Sequence, residues 1–190
     1  MREVTRCIFH DTNYLKGNNY EKNKEEVGNR FKRKLSKYRS NNMTFEFFGY
    51  CLPEISFKNE KFTETLYLVD AIFYGETSFK SATFSKKVSF HSAKFFGGLD
   101  FSSATFSGES RFTSATFSGV VSFTSVNFKS SAKFNNTNFL EKGDFHSATF
   151  LGQSDFAGTT FKRVICFSYY VSNIPSSSHV NNIWYIISNR

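Results

Sequence analysis

The spacing of phenylalanine is the feature of this 190-residue sequence that most limits its fold. From Phe73 to Phe167, phenylalanines follow one another at alternating intervals of six and five residues, without interruption. The same register continues backwards through Leu68, Phe62 and Phe57, so an 11-residue repeat extends over residues 57–167. A repeat of this kind predicts short structural units that stack on one another and bury a continuous core.

The register positions are predicted to form that core. They number 21, of which 20 are phenylalanine and one is leucine. They are Phe57, Phe62, Leu68, Phe73, Phe79, Phe84, Phe90, Phe95, Phe101, Phe106, Phe112, Phe117, Phe123, Phe128, Phe134, Phe139, Phe145, Phe150, Phe156, Phe161 and Phe167.

An 11-residue period is also typical of a right-handed supercoiled helix, so this alternative needs to be tested. At about 100° per residue, steps of five and six residues turn by about 500° and 600°, which scatters the phenylalanines around a helix instead of lining one stripe. The segment is also rich in Ser, Thr, Phe and Gly, which are mediocre or poor helix formers. The helical interpretation is therefore rejected.

The residue two positions before a phenylalanine gives a second signal. Before the five-residue steps it is usually alanine, as in Ala82, Ala93 and Ala104. A small residue and a large one separated by two positions point to the same side of an extended chain. The pattern therefore predicts very short strands separated by turns.

With these features, residues 57–167 resemble the pentapeptide repeat family in its phenylalanine-rich form. The unit is seen in residues 101–112, Phe-Ser-Ser-Ala-Thr-Phe-Ser-Gly-Glu-Ser-Arg-Phe. The resemblance implies an all-β solenoid, a right-handed quadrilateral β-helix with four units in each coil. Alternating units of five and six residues make a coil of 22 residues, so residues 57–167 are expected to form about five coils.

The two ends of the chain lie outside the repeat. Residues 1–56 are predicted to be an N-terminal cap with an amphipathic helix at about 19–40, because Val27, Phe31 and Leu35 recur at helical spacing. Residues 168–190 are predicted to be a C-terminal cap or a dimerisation tail. In gyrase-protecting members of the family a C-terminal element mediates dimerisation, so the resemblance implies a homodimer as the alternative to a cap.

No constellation in the sequence predicts an enzyme. A Gly-rich phosphate loop, an acidic metal cluster and a paired general acid and base are all missing from the sequence. Cys7 and His10 have the spacing of half a zinc site, which leaves their part in a metal site open. The expectation is a protein without a cofactor, with reduced thiols at its three cysteines.

Outward positions 22 residues apart are expected to stack in columns. One such column contains Tyr74, Phe96 and Leu140, which we interpret either as a patch for a partner or as a surface covered by the cap or the tail. The leading hypothesis is a non-catalytic β-helical scaffold that mediates protein–protein interaction, with a partner that the sequence does not identify.

Two alternative functions are considered beside protein binding. The first is nucleic-acid binding through the basic residues 30–39, and the second is modulation of DNA gyrase by DNA mimicry. A DNA mimic must present negative charge, whereas the net charge of this chain is +8, which disfavours mimicry. The sequence shows neither an apolar stretch of about 20 residues nor a secretory leader, so we expect a cytoplasmic protein without a membrane segment.

Overall fold

The computed structural model describes residues 8–41, 43–163 and 165–168. In this part of the chain, one helix precedes 23 short strands that form four parallel sheets, named here S1 to S4. The helix, α1, spans Asn19–Ser40.

Sheet S1 consists of β1 (Phe45–Glu46), β5 (Leu66–Tyr67), β9 (Val88–Ser89), β13 (Ser110–Arg111), β17 (Ala132–Lys133) and β21 (Ser154–Asp155). Sheet S2 consists of β2 (Cys51–Leu52), β6 (Ile72–Phe73), β10 (Lys94–Phe95), β14 (Thr116–Phe117), β18 (Asn138–Phe139) and β22 (Thr160–Phe161). Sheet S3 consists of β3 (Ile55–Ser56), β7 (Thr77–Ser78), β11 (Leu99–Asp100), β15 (Val121–Ser122), β19 (Gly143–His146) and β23 (Ile165–Ser168). Sheet S4 consists of β4 (Lys61–Phe62), β8 (Thr83–Phe84), β12 (Thr105–Phe106), β16 (Asn127–Phe128) and β20 (Thr149–Phe150).

The chain passes through S1, S2, S3 and S4 in turn and then returns to S1, so that four strands make one turn of a solenoid. Each strand pairs in parallel with the strand one turn before and one turn after it. Phe95, for example, lies opposite Phe73 on one side and Phe117 on the other. The predicted β-solenoid with one N-terminal helix is thereby confirmed, while its right-handedness and quadrilateral cross-section stay predictions.

The solenoid extends beyond the predicted repeat. Three of the sheets contain six strands, which makes about six turns, one more than the five or so expected for residues 57–167. The additional turn comes from β1, β2 and β3, which belong to the sheets although they lie within the segment predicted as a cap. In that first turn, β1 and β2 pair with residues 21 positions away, as for Phe45 and Leu66, whereas β3 pairs at the regular spacing of 22, as for Ile55 and Thr77.

The interior is built from four columns of stacked phenylalanine rings. Every register position with a described side chain is buried, the most exposed being Phe161 at 6%. Phe167 pairs through its backbone with Phe145, and its side chain lies outside the described residues. Ring centroids of successive turns lie 4.7–5.2 Å apart in the column of Phe57, Phe79, Phe101, Phe123 and Phe145, and 4.4–5.3 Å apart in that of Phe73, Phe95, Phe117, Phe139 and Phe161. These spacings follow the separation of paired strands, about 4.8 Å, so the backbone ladder and the ring stacks reinforce each other.

The small residues two positions before the phenylalanines also face inward. Ala82, Ala93 and Ala104 are fully buried, as expected. Where threonine takes this place, its hydroxyl needs a partner, since an unpaired buried donor is costly. Thr137 Oγ1 donates a hydrogen bond to the Phe112 carbonyl at 2.8 Å, and Thr159 Oγ1 donates one to the Phe134 carbonyl at 2.6 Å.

Two corners of each turn, between S1 and S2 and between S3 and S4, depend on a residue with a left-handed backbone. At the corner before β12, Ala104 N donates to the Phe101 carbonyl at 2.9 Å, and Ser103 between them has φ +59°. A positive φ at the third position is the requirement of a type II turn. The non-glycine residues that accept it recur every eleven positions: Asn59, Asp70, Ser81, Ser92, Ser103, Ser114, Ser125, Asn136 and Ser147.

Helix α1 covers the N-terminal end of the phenylalanine columns. Val27, Phe31 and Leu35 are buried, and the ring of Phe31 lies 4.7 Å from Phe47 and 6.0 Å from Phe57. The amphipathic face predicted from the sequence is therefore used to close the end of the core.

Candidate interaction surface

The structure brings two of the three predicted patch residues together. Tyr74 and Phe96 follow β6 and β10 of sheet S2, and their rings stack with centroids 5.6 Å apart and planes 15° from parallel. The Phe96 side chain is 51% exposed. Leu140, two turns beyond Phe96, is half-buried, and Ser118 lies between them in the column. The apolar column is thus interrupted, and Leu140 does not extend the contact.

The N-terminal segment covers one edge of this column. The Tyr74 hydroxyl donates a hydrogen bond to the Thr12 carbonyl at 3.2 Å. Burial raises the pKa of this hydroxyl. Beside it, Cys51 N donates to the Phe9 carbonyl at 2.6 Å, which closes the first edge of sheet S2. The contact with the N-terminal segment ends at Tyr74, and the ring of Phe96 is exposed to solvent.

A shallow cleft lies next to Phe96, at the corner where the chain passes from S2 to S3. We call this surface the glycine corner and define it by Phe96, Gly97, Gly98, Gly119, Val120, Glu76 and Asp100. Its cavity measures about 440 Å³. Val120, like Phe96, is 51% exposed, so the cleft has two open apolar side chains on its rim.

The floor of the glycine corner is bare backbone. A Cβ atom on Gly97 would lie 2.5 Å from the Gly75 carbonyl carbon, and one on Gly119 would lie 2.5 Å from the Gly97 carbonyl oxygen. Successive turns therefore approach too closely here for any side chain. Val120 was missed in the sequence analysis, although the recurrence of Gly75, Gly97 and Gly119 every 22 residues was a signal for this corner.

A second cleft, of about 540 Å³, separates helix α1 from sheet S3. It shares Glu76 and Asp100 with the glycine corner, so the two clefts adjoin. Its other charged lining residues are Lys24, Glu25, Lys32 and Glu54.

Three basic residues of α1 have partners within the molecule. Arg30 pairs with Glu26 at 2.7 Å, and Arg39 pairs with Glu60 at 2.6 Å. Lys34 Nζ donates a hydrogen bond to the Tyr50 hydroxyl. These three residues belong to the basic run at 30–39 that was considered for nucleic-acid binding, and their side chains already have partners in the protein.

On sheet S1, Glu109 is the centre of a charged cluster that spans three turns. Its carboxylate lies 2.9 Å from Arg111, 3.2 Å from Lys133 and 3.4 Å from Lys87. Burial raises the pKa of Glu109, but hydrogen bonds from Arg111 and Lys133 and the nearby positive charges outweigh it and lower the pKa to about 2. We infer that this cluster stabilises the contact between the three successive turns that contain strands β9, β13 and β17.

Of Cys7 and His10, the two residues considered for a metal site, the structure describes His10. Cys7 lies outside the described residues, and His10 Nε2 lies 2.9 Å from the Phe48 carbonyl. Among the residues that the structure describes, no group of three or more His, Cys, Asp and Glu side chains is placed to hold a metal ion. Cys51 and Cys166 are free thiols.

Two further expectations concern the membrane and the tail. Across the described residues, no helix combines the length and the apolar character needed to cross a membrane. The tail predicted to cap or dimerise lies, after Ser168, outside the described residues. Dimerisation through it stays a prediction.

Comparison with known proteins bears on the repeat. Residues 79–126 match the family model described as pentapeptide repeats (9 copies). No curated protein and no solved structure gave a match to the chain. The matched residues run from Phe79 to Val126, through the middle of the phenylalanine columns. Residues 79–126 therefore carry pentapeptide repeats of a phenylalanine-rich form, and they form the middle of the β-solenoid.

Proposed function

We propose that this protein is a non-catalytic scaffold that binds another protein through the glycine corner and the adjoining ring of Tyr74. The observation that carries the proposal is the pair of half-exposed apolar side chains, Phe96 and Val120, on the rim of one cleft. Exposed apolar side chains that cluster beside a concave surface are typical of interaction sites. Burying such a side chain fully contributes about 1.5–3 kcal/mol.

The backbone under this surface favours binding as well. Phe96 N donates to the Phe73 carbonyl at 2.9 Å, and Leu99 N donates to the Val120 carbonyl at 2.9 Å, so both sides of the corner are held in the ladder. A surface that is already ordered loses little conformational entropy when a partner docks. The solenoid thus presents the apolar pair in a fixed position.

The other exposed large hydrophobic side chains of the described residues are Met43, Phe48 and Leu151, and they support the choice of site. Phe48 stacks on Tyr67 with ring centroids 5.7 Å apart, which partly satisfies its apolar surface. Leu151 follows β20 of sheet S4, on a different side from the glycine corner. Neither of these two lines the glycine-corner cleft.

Two alternatives have weaker support. Nucleic-acid binding through residues 30–39 is disfavoured because Arg30, Lys34 and Arg39 already have partners in the molecule. DNA mimicry toward gyrase is disfavoured by the net charge of +8. An enzymatic role has no support from the site, and pentapeptide-repeat solenoids are in general structural proteins.

Site-specific photo-crosslinking tests the proposal. A photoreactive phenylalanine analogue is placed at position 96 of the full chain, and in a second variant at position 151, where Leu151 is 56% exposed on another face. We expect a discrete crosslinked protein partner from position 96 and none from position 151. The additional substitution Val120→Ser should reduce the yield. Equal yields from both positions, or a crosslinked nucleic acid, would contradict the proposal.

A further inference from the structure

Resting on the protein-binding function above, we propose that the glycine corner binds an extended segment of the partner that carries a lysine or arginine next to an aromatic or aliphatic side chain. The apolar side chain would contact Phe96 and Val120. The cation would lie between Glu76 and Asp100. The negative charge and the shape of the cleft both favour such a ligand.

Both carboxylates are held in place by the backbone. Glu76 Oε1 accepts a hydrogen bond from Gly98 N at 3.0 Å, and Asp100 Oδ1 accepts one from Ser102 N at 2.7 Å. Neither bond uses a cationic side chain, so the negative charges are not neutralised by these contacts. The residues that line the glycine-corner cleft include these two acids and no basic side chain.

This acidic surface stands out in a chain with a net charge of +8. The adjoining cleft below α1 adds Glu25 and Glu54 as acids and Lys24 and Lys32 as bases. Lys24 is paired with Glu21 at 2.8 Å, a residue that does not line the cleft. The two clefts together therefore retain an excess of negative charge, which attracts a cationic ligand and repels phosphate groups.

The contour of the site selects an extended chain. At Gly97 and Gly119 the floor consists of backbone that packs directly on the backbone of the preceding turn, so no side chain rises from it. The rim carries an apolar side chain on each of two successive turns, Phe96 and Val120. In an extended ligand, neighbouring side chains point to opposite sides, so one can contact the rim while the next reaches the carboxylates.

Fluorescence anisotropy with labelled peptides and the full-length protein tests the inference. The probes are three hexapeptides blocked at both ends: Gly-Phe-Lys-Phe-Lys-Gly, its acidic counterpart Gly-Phe-Glu-Phe-Glu-Gly, and its neutral counterpart Gly-Phe-Gln-Phe-Gln-Gly. We expect the cationic peptide to bind the most tightly and the acidic peptide the least. Its affinity should fall as salt is raised, because exposed charges are screened.

The variants separate charge from folding. Glu76→Gln and Asp100→Asn keep the oxygen atoms that accept the backbone hydrogen bonds while they remove the charges. The double variant should weaken binding of the cationic peptide by about fivefold to tenfold. Glu46→Gln, an exposed carboxylate at the outer face of β1, is the matched control and should leave the affinity unchanged.

Three results would overturn the inference. They are equal binding of the neutral and cationic peptides, no effect of the Glu76→Gln and Asp100→Asn substitutions, and no binding of any probe. In each case the crosslink from position 96 still tests the proposed function separately. A partner captured there without a basic segment at the crosslink would refute the ligand chemistry and leave protein binding in place.

Discussion

The middle turns and the first turn of the solenoid are held together in different ways. In the middle, each phenylalanine has a ring of the same column above and below it, as Phe112 has with Phe90 at 5.2 Å and Phe134 at 4.8 Å. In the first turn, Phe57 has such a neighbour, Phe79, on one side only, and α1 supplies a ring on the other side through Phe31. The comparison teaches that repetition is sufficient inside the array, whereas its end needs a dedicated, non-repeating element.

The largest expected effect is the loss of a ring from the middle of a column. Phe112→Ala should destabilise the protein by ~3–5 kcal/mol, because the stacked turns cannot close around the cavity. Ser107→Ala, at an exposed position one strand away, is the control and should change the stability by no more than about 0.5 kcal/mol. Chemical denaturation of both variants measures the difference. Similar midpoints would contradict the assignment of Phe112 to the core.

Removal of the Phe31 ring, which α1 contributes to the core, should destabilise the first turn more than the middle turns. Phe31→Ala removes contacts to Phe9, Phe47, Tyr50 and Phe57. We expect the amides of β1 to β4 to lose protection from hydrogen exchange, while those of β12 to β16 keep it, since local opening is set by local contacts. Phe48→Ala, at a half-exposed ring, should leave both regions unchanged. Uniform loss of protection would show that the end and the middle do not differ.

At the left-handed corners, a substitution to glycine should stabilise the protein. Ser103 has φ +59°, a backbone that costs about 1–2 kcal/mol for a residue with a Cβ. Ser103→Gly removes this strain but loses about 0.5–1 kcal/mol through the flexibility of the unfolded chain, so a gain of about 0.5–1 kcal/mol is expected. Ser107→Gly is the same chemical change at a residue without a positive φ, and it should be destabilising. Thermal unfolding gives the two signs, and the same sign for both would refute the role assigned to these corners.

An effect of similar size is electrostatic. The pKa of Glu109 is lowered in the folded protein to about 2 from an ordinary value of 4.5. The stability that this carboxylate contributes is therefore present above about pH 4.5 and is lost as the pH falls toward about 2. Glu109→Gln should reduce stability by about 1 kcal/mol at neutral pH, and the difference from the unsubstituted protein should shrink toward pH 2. A difference that does not change with pH would contradict the cluster.

The interior could be predicted from the sequence because each phenylalanine of the register performs the same task in every turn. The first turn could not, since its strands β1 and β2 pair with residues 21 positions away instead of 22, which places Phe45 and Leu52 outside the regular spacing. Helix α1 was evident from Val27, Phe31 and Leu35. The surface it covers depends on the end of the solenoid, which has no periodic signal.

The candidate site was predictable only in part. Tyr74 and Phe96 could be placed in one column from the 22-residue period, and they do stack. Leu140 shares the column, but Ser118 separates it from Phe96, and a column does not show whether its members are close enough to act together. Val120 belongs to the corner and not to a strand. This corner is formed where successive turns approach closely at Gly97 and Gly119.

The pair Phe95 and Phe96 offers the most direct test of the whole account, because the two residues have the same side chain, are adjacent in sequence and face opposite ways. Phe95 is 1% exposed in the core, and Phe96 is 51% exposed at the glycine corner. Hydroxyl-radical footprinting with mass spectrometry measures the oxidation of each ring in the folded protein. The account predicts rapid oxidation of Phe96 and protection of Phe95, with equal rates after unfolding. Equal oxidation of the two rings in the folded protein, or protection of Phe96 instead, would contradict both the register of the core and the surface assigned to binding.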